Sequence, residues 1–189
     1  MIYLASASPR RRELLNQIGI EFELLSVDVD ESVEIDEAPH DYVTRVAALK
    51  AQAGVAVAQQ QWPILAADTI VILDGEVLLK PADQQAAIAT LSKLSGHTHE
   101  VKTAIAIAFG GKVFNEVVTT QVTMRPIDEA EMLSYWQSGE PADKAGSYGI
   151  QGLGGKFVES INGSYSAVVG LPLMETERLL ASVKRSAML

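Results

Sequence analysis

The order of apolar and polar residues along the chain predicts strands that alternate with helices. Apolar residues three and four positions apart are typical of one helix face, whereas alternating or continuous apolar runs are typical of strands. Helices are predicted at about 9–17, 39–59, 83–94, 128–137 and 173–184, and strands at about 2–5, 22–27, 64–73, 76–79, 100–109, 112–124 and 157–161. This order predicts one α/β domain over residues 1–189, with two lobes as an alternative. We expect a mixed, partly antiparallel sheet flanked by helices and elongated around a central cleft.

Basic residues are concentrated where the first predicted strand gives way to the first helix. Ser6 and Ser8 are followed by Pro9, which is favoured at the first helical position because its missing N–H needs no partner there. Three arginines follow, at positions 10–12. Unpaired N–H groups and the positive end of the helix dipole suit an anion, and guanidinium groups match phosphate oxygens. The stretch therefore predicts a polyphosphate site, and the alternative is a serine N-cap followed by a solvated basic turn.

Asp68 and Thr69 interrupt the most apolar predicted strand, 64–73, which has the pattern of a strand buried on both faces. An unpaired carboxylate in such a strand is costly, so we expect Asp68 to have a cationic or metal partner. The Asp74-Gly75 pair then predicts a tight hairpin, after which the chain returns along the same strand. In the ideal register Lys80 lies opposite Thr69, and it reaches the face of Asp68 only through a bulge or its own length.

Lys50 is a cation on the apolar face of the second predicted helix. The other members of that face, at helical spacing, are Val43, Val46, Ala47, Gly54 and Val57. Either this lysine is a functional cation that matches the charge of a polyphosphate, or it lies at the edge of the face and extends its ammonium group into water.

Acidic residues are dense between the second predicted strand and this helix. They are Asp28, Asp30, Glu31, Glu34, Asp36, Glu37 and Asp41. Most such runs are solvated loops, and we expect at most one of these carboxylates to take part in chemistry.

Composition limits the classes of function that remain. The chain has 189 residues, a net charge of −9 and no cysteine, which excludes disulfides, thiolate metal sites and a cysteine nucleophile. General nucleic-acid binding is not expected from an acidic chain, although a small polyanion can bind where basic residues gather. The N-terminus lacks signal-peptide features and no apolar run is long enough to span a membrane, so we expect a cytoplasmic location.

Two further features carry weaker signals. A glycine-rich segment at 143–155 allows the backbone to approach a ligand closely, although glycine content alone is weak evidence. His97 and His99 resemble a metal-binding pair, but no third histidine is clustered with them.

Taken together, the basic helix start, Lys50, Asp68 and Lys80 favour one chemistry. Cations match the charge of a polyphosphate and of the state that forms on attack. Carboxylates hold Mg²⁺ or Mn²⁺ and accept a proton from water. The residues therefore favour metal-assisted hydrolysis of a nucleotide or another small polyphosphate.

Several spaced pieces of the sequence match one known family in the same order. They are Leu4-Ala-Ser-Ala-Ser-Pro-Arg-Arg11, Asp28-Val-Asp-Glu31, Ala67-Asp-Thr69, Lys80-Pro81, Leu94-Ser-Gly96, Lys144-Ala-Gly-Ser-Tyr-Gly-Ile-Gln-Gly152 and Val169-Gly-Leu-Pro172. Through these pieces the sequence resembles, from end to end, the Maf family of nucleotide pyrophosphatases. The resemblance implies an α/β fold similar to that of inosine triphosphate pyrophosphatases. It also implies metal-dependent hydrolysis of nucleoside triphosphates to monophosphate and pyrophosphate.

The resemblance also implies a role for each matching position. Asp68 would accept the proton of the attacking water, and Glu31 would assist with the metal or the water. The triphosphate would be held by Ser8, Arg10, Arg11, Lys50 and Lys80, with Lys80 also counted among the catalytic residues.

Three positions imply the branch of the family that acts on dTTP and UTP. Arg10, Thr69 and Gln151 fit that branch, and the amide of Gln151 can both donate to and accept from a pyrimidine base edge. The alternatives are a hydrolase for modified nucleotides and a non-enzymatic nucleotide-binding regulator, since the family has been linked to septum formation. The expected partner is a small nucleoside triphosphate, and neither nucleic acid nor a membrane is expected to bind. The sequence does not decide between a monomer and a homodimer.

Overall fold

The computed structural model describes residues 1–186 and divides the chain into two compact units. The first unit contains Met1–Asp68, Thr103–Val118 and the described residues from Gly170 onward. The second contains Thr69–Lys102 and Thr119–Val169.

The elements form the mixed α/β arrangement that the sequence predicts. The strands are β1 Ile2–Leu4, β2 Phe22–Leu24, β3 Ile64–Leu73, β4 Glu76–Leu78, β5 Thr98–Phe109, β6 Lys112–Met124 and β7 Val158–Asn162. The helices are α1 Pro9–Gln17, α2 Pro39–Val57, α3 Gln84–Leu94, α4 Glu129–Gln137, α5 Tyr165–Val169 and α6 Leu173–Ser186. Hydrogen bonds order the strands β2-β1-β3-β5-β6-β7, and β4 pairs with β3. Strand β1 is parallel to β2 and β3, whereas the β3–β4 and β6–β7 pairs are antiparallel.

In the first unit, parallel pairing of β1 with β3 sets the position of the α1 start. Leu4 is in register with Leu65, and the Ala5 N–H donates to the Leu65 carbonyl at 2.8 Å. Strand β3 continues three residues beyond this point to Asp68. The loop that leaves β1 therefore runs beside the part of β3 that carries the acid, because both strands point in the same direction.

Helix α2 packs closely on β3 because Gly54 has no side chain. A Cβ atom at Gly54 would lie 2.7 Å from Cγ2 of Ile64, which is closer than packed atoms allow. Lys50 is one helical turn before Gly54, and Asp68 is four residues after Ile64 on the strand. This close approach brings the lysine of the helix to the acid of the strand.

The second unit has its own apolar core. Its fully or nearly fully buried members include Leu91, Leu94, Met124, Tyr135 and Phe157. Its helices start with side-chain caps, which satisfy N–H groups that have no partner within the helix. Asp83 accepts from the Ala86 N–H at 2.8 Å, and Asp128 and Glu131 form a capping box.

Both predicted hairpin turns are confirmed. Asp74 and Gly75 have φ values of 49° and 83°, and Gly110 and Gly111 have values of 57° and 74°. Positive φ at both central residues is the geometry that joins two strands through two residues, and it explains the glycines at these sites.

The structure corrects some predicted boundaries. Strand β2 ends at Leu24 instead of residue 27, α2 ends at Val57 instead of 59, and β5 begins two residues early, at Thr98. Val57 is 51% exposed and does not belong to the buried face of α2, because it lies in the last turn beyond the contact with β3. The five-residue helix α5 is not predicted, since it is shorter than two helical turns and an apolar pattern cannot repeat within it.

Candidate active site

The ammonium group of Lys50 joins the carboxylates of Asp68 and Glu31 in the first unit. Nζ of Lys50 lies 2.9 Å from Oδ1 of Asp68 and 3.0 Å from Oε1 of Glu31. The side chains of Lys50 and Asp68 are only 13% and 11% exposed, whereas that of Glu31 is 49% exposed. The predicted cationic partner of Asp68 is therefore Lys50, and this lysine does not extend into water.

The start of α1 lies beside this cluster and is anchored by Arg11. Its Nε donates to the Gly170 carbonyl at 2.8 Å, and its Nη1 donates to Oγ of Ser6 at 3.3 Å. The Ser8 N–H donates to the same Ser6 oxygen at 3.2 Å. Ser8 occupies the N-cap position, but its side chain makes no capping hydrogen bond. The alternative prediction of a serine N-cap is therefore correct for the position of Ser8 at the helix start. It is not correct for the hydroxyl group, which does not cap the helix.

The electrostatics of Arg11 place four charged groups near one another. Burial lowers the pKa of Arg11, the negative charge of Asp68 opposes this effect, and the charge of Arg10 adds to it. Glu31 has a smaller effect in the same direction as Asp68. Five of the predicted residues in this unit, Arg10, Arg11, Glu31, Lys50 and Asp68, are therefore brought together.

The other predicted residues, Thr69, Lys80 and Gln151, belong to the second unit. Thr69 follows Asp68 on β3 and is partly buried. Pairing of Val71 with Leu78 extrapolates to Thr69 opposite Lys80, as predicted, but β4 ends at Leu78 and Lys80 is exposed beyond it. Gln151 is exposed in the glycine-rich segment. The roles of these three residues stay predictions.

The glycine-rich segment is held by a glutamate that the sequence gives no reason to select. Oε2 of Glu140 accepts from the Leu153 N–H at 2.8 Å, and Oε1 accepts from the Gly154 N–H at 3.1 Å. The Tyr135 hydroxyl donates to Oε1 at 2.6 Å and accepts from the Gly149 N–H at 3.0 Å. Burial raises the pKa of Glu140, but these hydrogen bonds outweigh it and the pKa is lowered overall. Both ends of the loop that contains Gln151 are therefore fixed by one pair of side chains.

The two histidines of the second unit do not form a metal pair. His99 is 2% exposed, and its Nε2 lies 2.7 Å from the hydroxyl of Tyr148, while Nδ1 of His97 lies 2.8 Å from the Ser95 carbonyl. Burial lowers the pKa of His99 to about 4, so the ring is neutral near pH 7. These contacts assign His99 to the interior of the unit.

The donor set in the first unit fits a metal ion that is shared with phosphate. Mg²⁺ is usually bound by one or two carboxylates together with substrate phosphates, and Glu31 and Asp68 supply two carboxylates that converge on one ammonium group. Within residues 1–186, no group of three or more His, Asp or Glu side chains could hold a metal ion. The protein could therefore contribute only part of the coordination shell of an ion.

Tyr42 and Arg45 of α2 contact the segment that carries Glu31, and neither is among the site residues predicted from the sequence. They lie three residues apart and hence on the same side of the helix. That spacing, opposite an acid-rich loop, is the only sequence signal that points to them.

No helix in the part of the chain that the structure describes is both long enough and apolar enough to cross a membrane.

Comparison with known proteins shows extensive similarity to one family. The family model described as "Maf-like protein" matches residues 1–183. The dTTP/UTP pyrophosphatase of Pseudoalteromonas translucida is 57% identical over 184 residues, which cover 97% of each chain. The dTTP/UTP pyrophosphatase of Shigella dysenteriae is 54% identical over 181 residues, covering 96% of this chain and 92% of that protein.

Solved structures give weaker likenesses. A nucleoside-triphosphatase, named dITP/XTP pyrophosphatase, from Mycobacterium abscessus is 18% identical, with a TM-score of 0.44 over 100% of this chain and 97% of that one. The Ham1 protein of Staphylococcus aureus is 16% identical, with a TM-score of 0.45 over 66% of this chain and 70% of that one. These scores are too low to support an inference about this chain.

Proposed function

Because the chain belongs to the family of Maf-like proteins, we propose that it is a nucleoside triphosphate pyrophosphatase that acts on dTTP and UTP. The products are the nucleoside monophosphate and pyrophosphate. The observation that carries the proposal is the Lys50, Asp68 and Glu31 cluster, which lies beside the arginines at the start of α1.

The triphosphate binds at the start of α1. Ser8 offers a hydroxyl group that does not cap the helix, and Arg10 and Arg11 offer positive charge near Asp68. Guanidinium groups and helix N–H groups are suited to phosphate oxygens because both present donors in fixed directions. Lys50 and Lys80 add positive charge that stabilises the pyrophosphate as it leaves.

Asp68 acts as the proton acceptor. Water attacks the α-phosphorus, the bond from that phosphorus to the bridging oxygen breaks, and the water proton passes to the Asp68 carboxylate. The hydrogen bond from Lys50 orients this carboxylate, because it occupies one of the two oxygens. The other oxygen is then available to accept the proton.

A divalent cation, Mg²⁺ or Mn²⁺, is the expected cofactor. The carboxylates of Glu31 and Asp68 would hold it together with phosphate oxygens. When bound, such an ion neutralises phosphate charge and polarises the phosphorus–oxygen bonds.

Arg10, Thr69 and Gln151 are proposed to set the preference for pyrimidine nucleotides. A uracil or thymine base presents an N–H donor between two carbonyl acceptors. The amide of Gln151 can pair with both kinds of group, whereas a carboxylate can only accept.

A nucleotide panel tests the proposal. The protein is incubated with each common nucleoside triphosphate and with 7-methylguanosine triphosphate, with Mg²⁺ or Mn²⁺, and both pyrophosphate and orthophosphate are measured. We expect pyrophosphate with dTTP and UTP as the best substrates, and loss of activity when EDTA is added. Orthophosphate as the product, or tight nucleotide binding without turnover, would contradict the proposal, and the second outcome would favour the non-enzymatic regulator.

A further inference from the structure

We propose that Tyr42 and Arg45 are positioning residues that hold Glu31 in reach of Lys50 and Asp68. They act through the acid-rich segment before α2, which both residues contact. This inference rests on the proposed function, because the cluster that Glu31 joins is the proposed reaction centre.

Two hydrogen bonds from α2 fix the backbone at Glu31 and at the next residue. The Tyr42 hydroxyl donates to the Glu31 carbonyl at 2.8 Å, and Nη2 of Arg45 donates to the Ser32 carbonyl at 2.9 Å. Lys50, on the same helix, binds the Glu31 carboxylate at 3.0 Å. One helix therefore holds both the main chain and the side chain of this region.

Arg45 is itself fixed by Glu37. Nε of Arg45 lies 2.6 Å from Oε1 of Glu37, and Nη2 lies 2.7 Å from Oε2, which is the two-bond geometry that makes arginine–carboxylate pairs strong and directional. Oε2 of Glu37 also accepts from the Glu34 N–H at 3.1 Å. The guanidinium carbon of Arg45 lies 5.7 Å from the centre of the Tyr42 ring. The side chain of Glu37 is only 8% exposed, whereas that of Arg45 is 25% exposed.

The segment needs such contacts because it has no regular structure of its own. Residues 25–38 contain no helix or strand, and most of their side chains are exposed. Fixing the backbone of each residue costs conformational entropy, so an exposed loop without contacts would leave Glu31 in many positions. The contacts from Tyr42, Arg45 and Glu37 meet this cost before a nucleotide binds, and this preorganises the site.

A double-mutant cycle between Arg45 and Glu31 tests the proposal. We expect Arg45→Ala to lower kcat for UTP by roughly tenfold to a hundredfold, with a smaller change in KM, because Glu31 is misplaced rather than removed. In a Glu31→Ala background the same substitution should cause almost no further loss, because Arg45 then has nothing to position. Tyr42→Phe, which removes a single hydrogen bond, should lower kcat by about threefold.

Two controls separate positioning from general stability. Arg178→Ala removes another arginine–glutamate pair of the same unit, with Glu116, and should leave kcat unchanged. Hydrogen exchange should show faster exchange in residues 28–38 of Arg45→Ala and unchanged exchange in β1 and β3.

The outcomes distinguish this proposal from the proposed function. An active wild type in which Arg45→Ala causes the same loss with and without Glu31 would overturn the positioning role alone. Unchanged kcat in Arg45→Ala would do the same. A wild type that hydrolyses no nucleotide would overturn the proposed function, and the reaction role of these contacts with it.

Discussion

Two loops carry proposed functional residues, and the structure holds them in different ways. The acid-rich segment with Glu31 is tied to α2 from outside, by an arginine–glutamate pair and a tyrosine hydroxyl. The glycine-rich segment with Gln151 is instead folded around one carboxylate, Glu140, which accepts two of the segment's own N–H groups. The first loop is mostly exposed, and the second is anchored on the core residue Tyr135.

This difference separates function from stability. Close ion pairs such as Lys50 and Asp68 contribute little net stability, because removing charges from water costs about as much as their attraction returns. A buried group that loses its partner keeps the full cost of desolvation, and this holds for an ion pair as well as for a neutral hydrogen bond. We therefore expect substitutions in the reaction cluster that keep a partner for each buried group to change mainly turnover. Substitutions that leave a buried N–H group of the second unit without its partner should change stability.

The largest expected effect is the loss of turnover in Asp68→Asn. The amide cannot take a proton from water, so kcat should fall by about 1000-fold or more. The fold should persist, because the amide oxygen still accepts from Lys50 and Lys50 keeps Glu31 as a partner. Pyrophosphate release and a thermal unfolding curve measure the two effects. Asp74→Asn, in an exposed turn, is the matched control, and near-normal turnover in a folded Asp68→Asn would remove the proposed proton acceptor.

The second prediction concerns acid stability and the buried His99. Its pKa is about 4 in the folded protein and near its usual 6.5 when unfolded, so between these values the unfolded state binds more protons. The free energy of unfolding should therefore fall as pH falls from about 6.5 towards 4, by roughly 2 kcal/mol between pH 7 and pH 5. Urea denaturation at both pH values measures this change. His99→Gln should abolish that part of the dependence and His97→Gln should retain it, and the opposite pattern would contradict the assignment.

The third prediction tests the anchor of the glycine-rich segment. Tyr135→Phe leaves the Gly149 N–H without its partner and removes one donor to Glu140, so the free energy of unfolding should fall by about 1.5 kcal/mol. Urea denaturation measures the loss, and Tyr165→Phe, at a half-exposed tyrosine, should cause none. An unchanged free energy of unfolding in Tyr135→Phe would contradict the proposal that Tyr135 anchors the glycine-rich segment.

The smallest expected effect is that of Gln151→Glu. It would show that a residue of the second unit also affects function, and not only stability. Gln151→Glu should shift the ratio of kcat/KM for UTP against 7-methylguanosine triphosphate by about tenfold away from UTP, since a carboxylate opposes the carbonyls of a pyrimidine. Steady-state kinetics with both nucleotides measures the ratio. Gln52→Glu, on an exposed face of α2, is the control, and an unchanged ratio in Gln151→Glu would exclude a specificity role.

Local signals in the sequence were sufficient for much of the fold. Helix α1 and strand β6 have the predicted limits, because Pro9 fixes one helix start and Gly110-Gly111 fixes one hairpin. The need of Asp68 for a cation also follows from the sequence, since a carboxylate in a buried strand requires one. The identity of that cation does not, because it depends on how closely α2 approaches β3.

The remaining contacts join residues that no local pattern relates. Glu140 binds the N–H groups of Leu153 and Gly154, and both lie in a loop whose sequence shows only that it is rich in glycine. Arg45 and Glu37 are eight residues apart and meet only because the chain turns back on α2. Such pairs depend on how the elements pack in three dimensions, so periodicity and composition do not reveal them.

The close approach of Gly54 to Ile64 sets the distance between α2 and β3. Helix α2 carries Tyr42, Arg45 and Lys50, so a shift of this helix changes the distances from all three side chains to the acids. An additional methyl group at Gly54 would push α2 away from Ile64 and move all three side chains at once. The geometry of the whole cluster therefore depends on a side chain that is missing one helical turn away from Lys50.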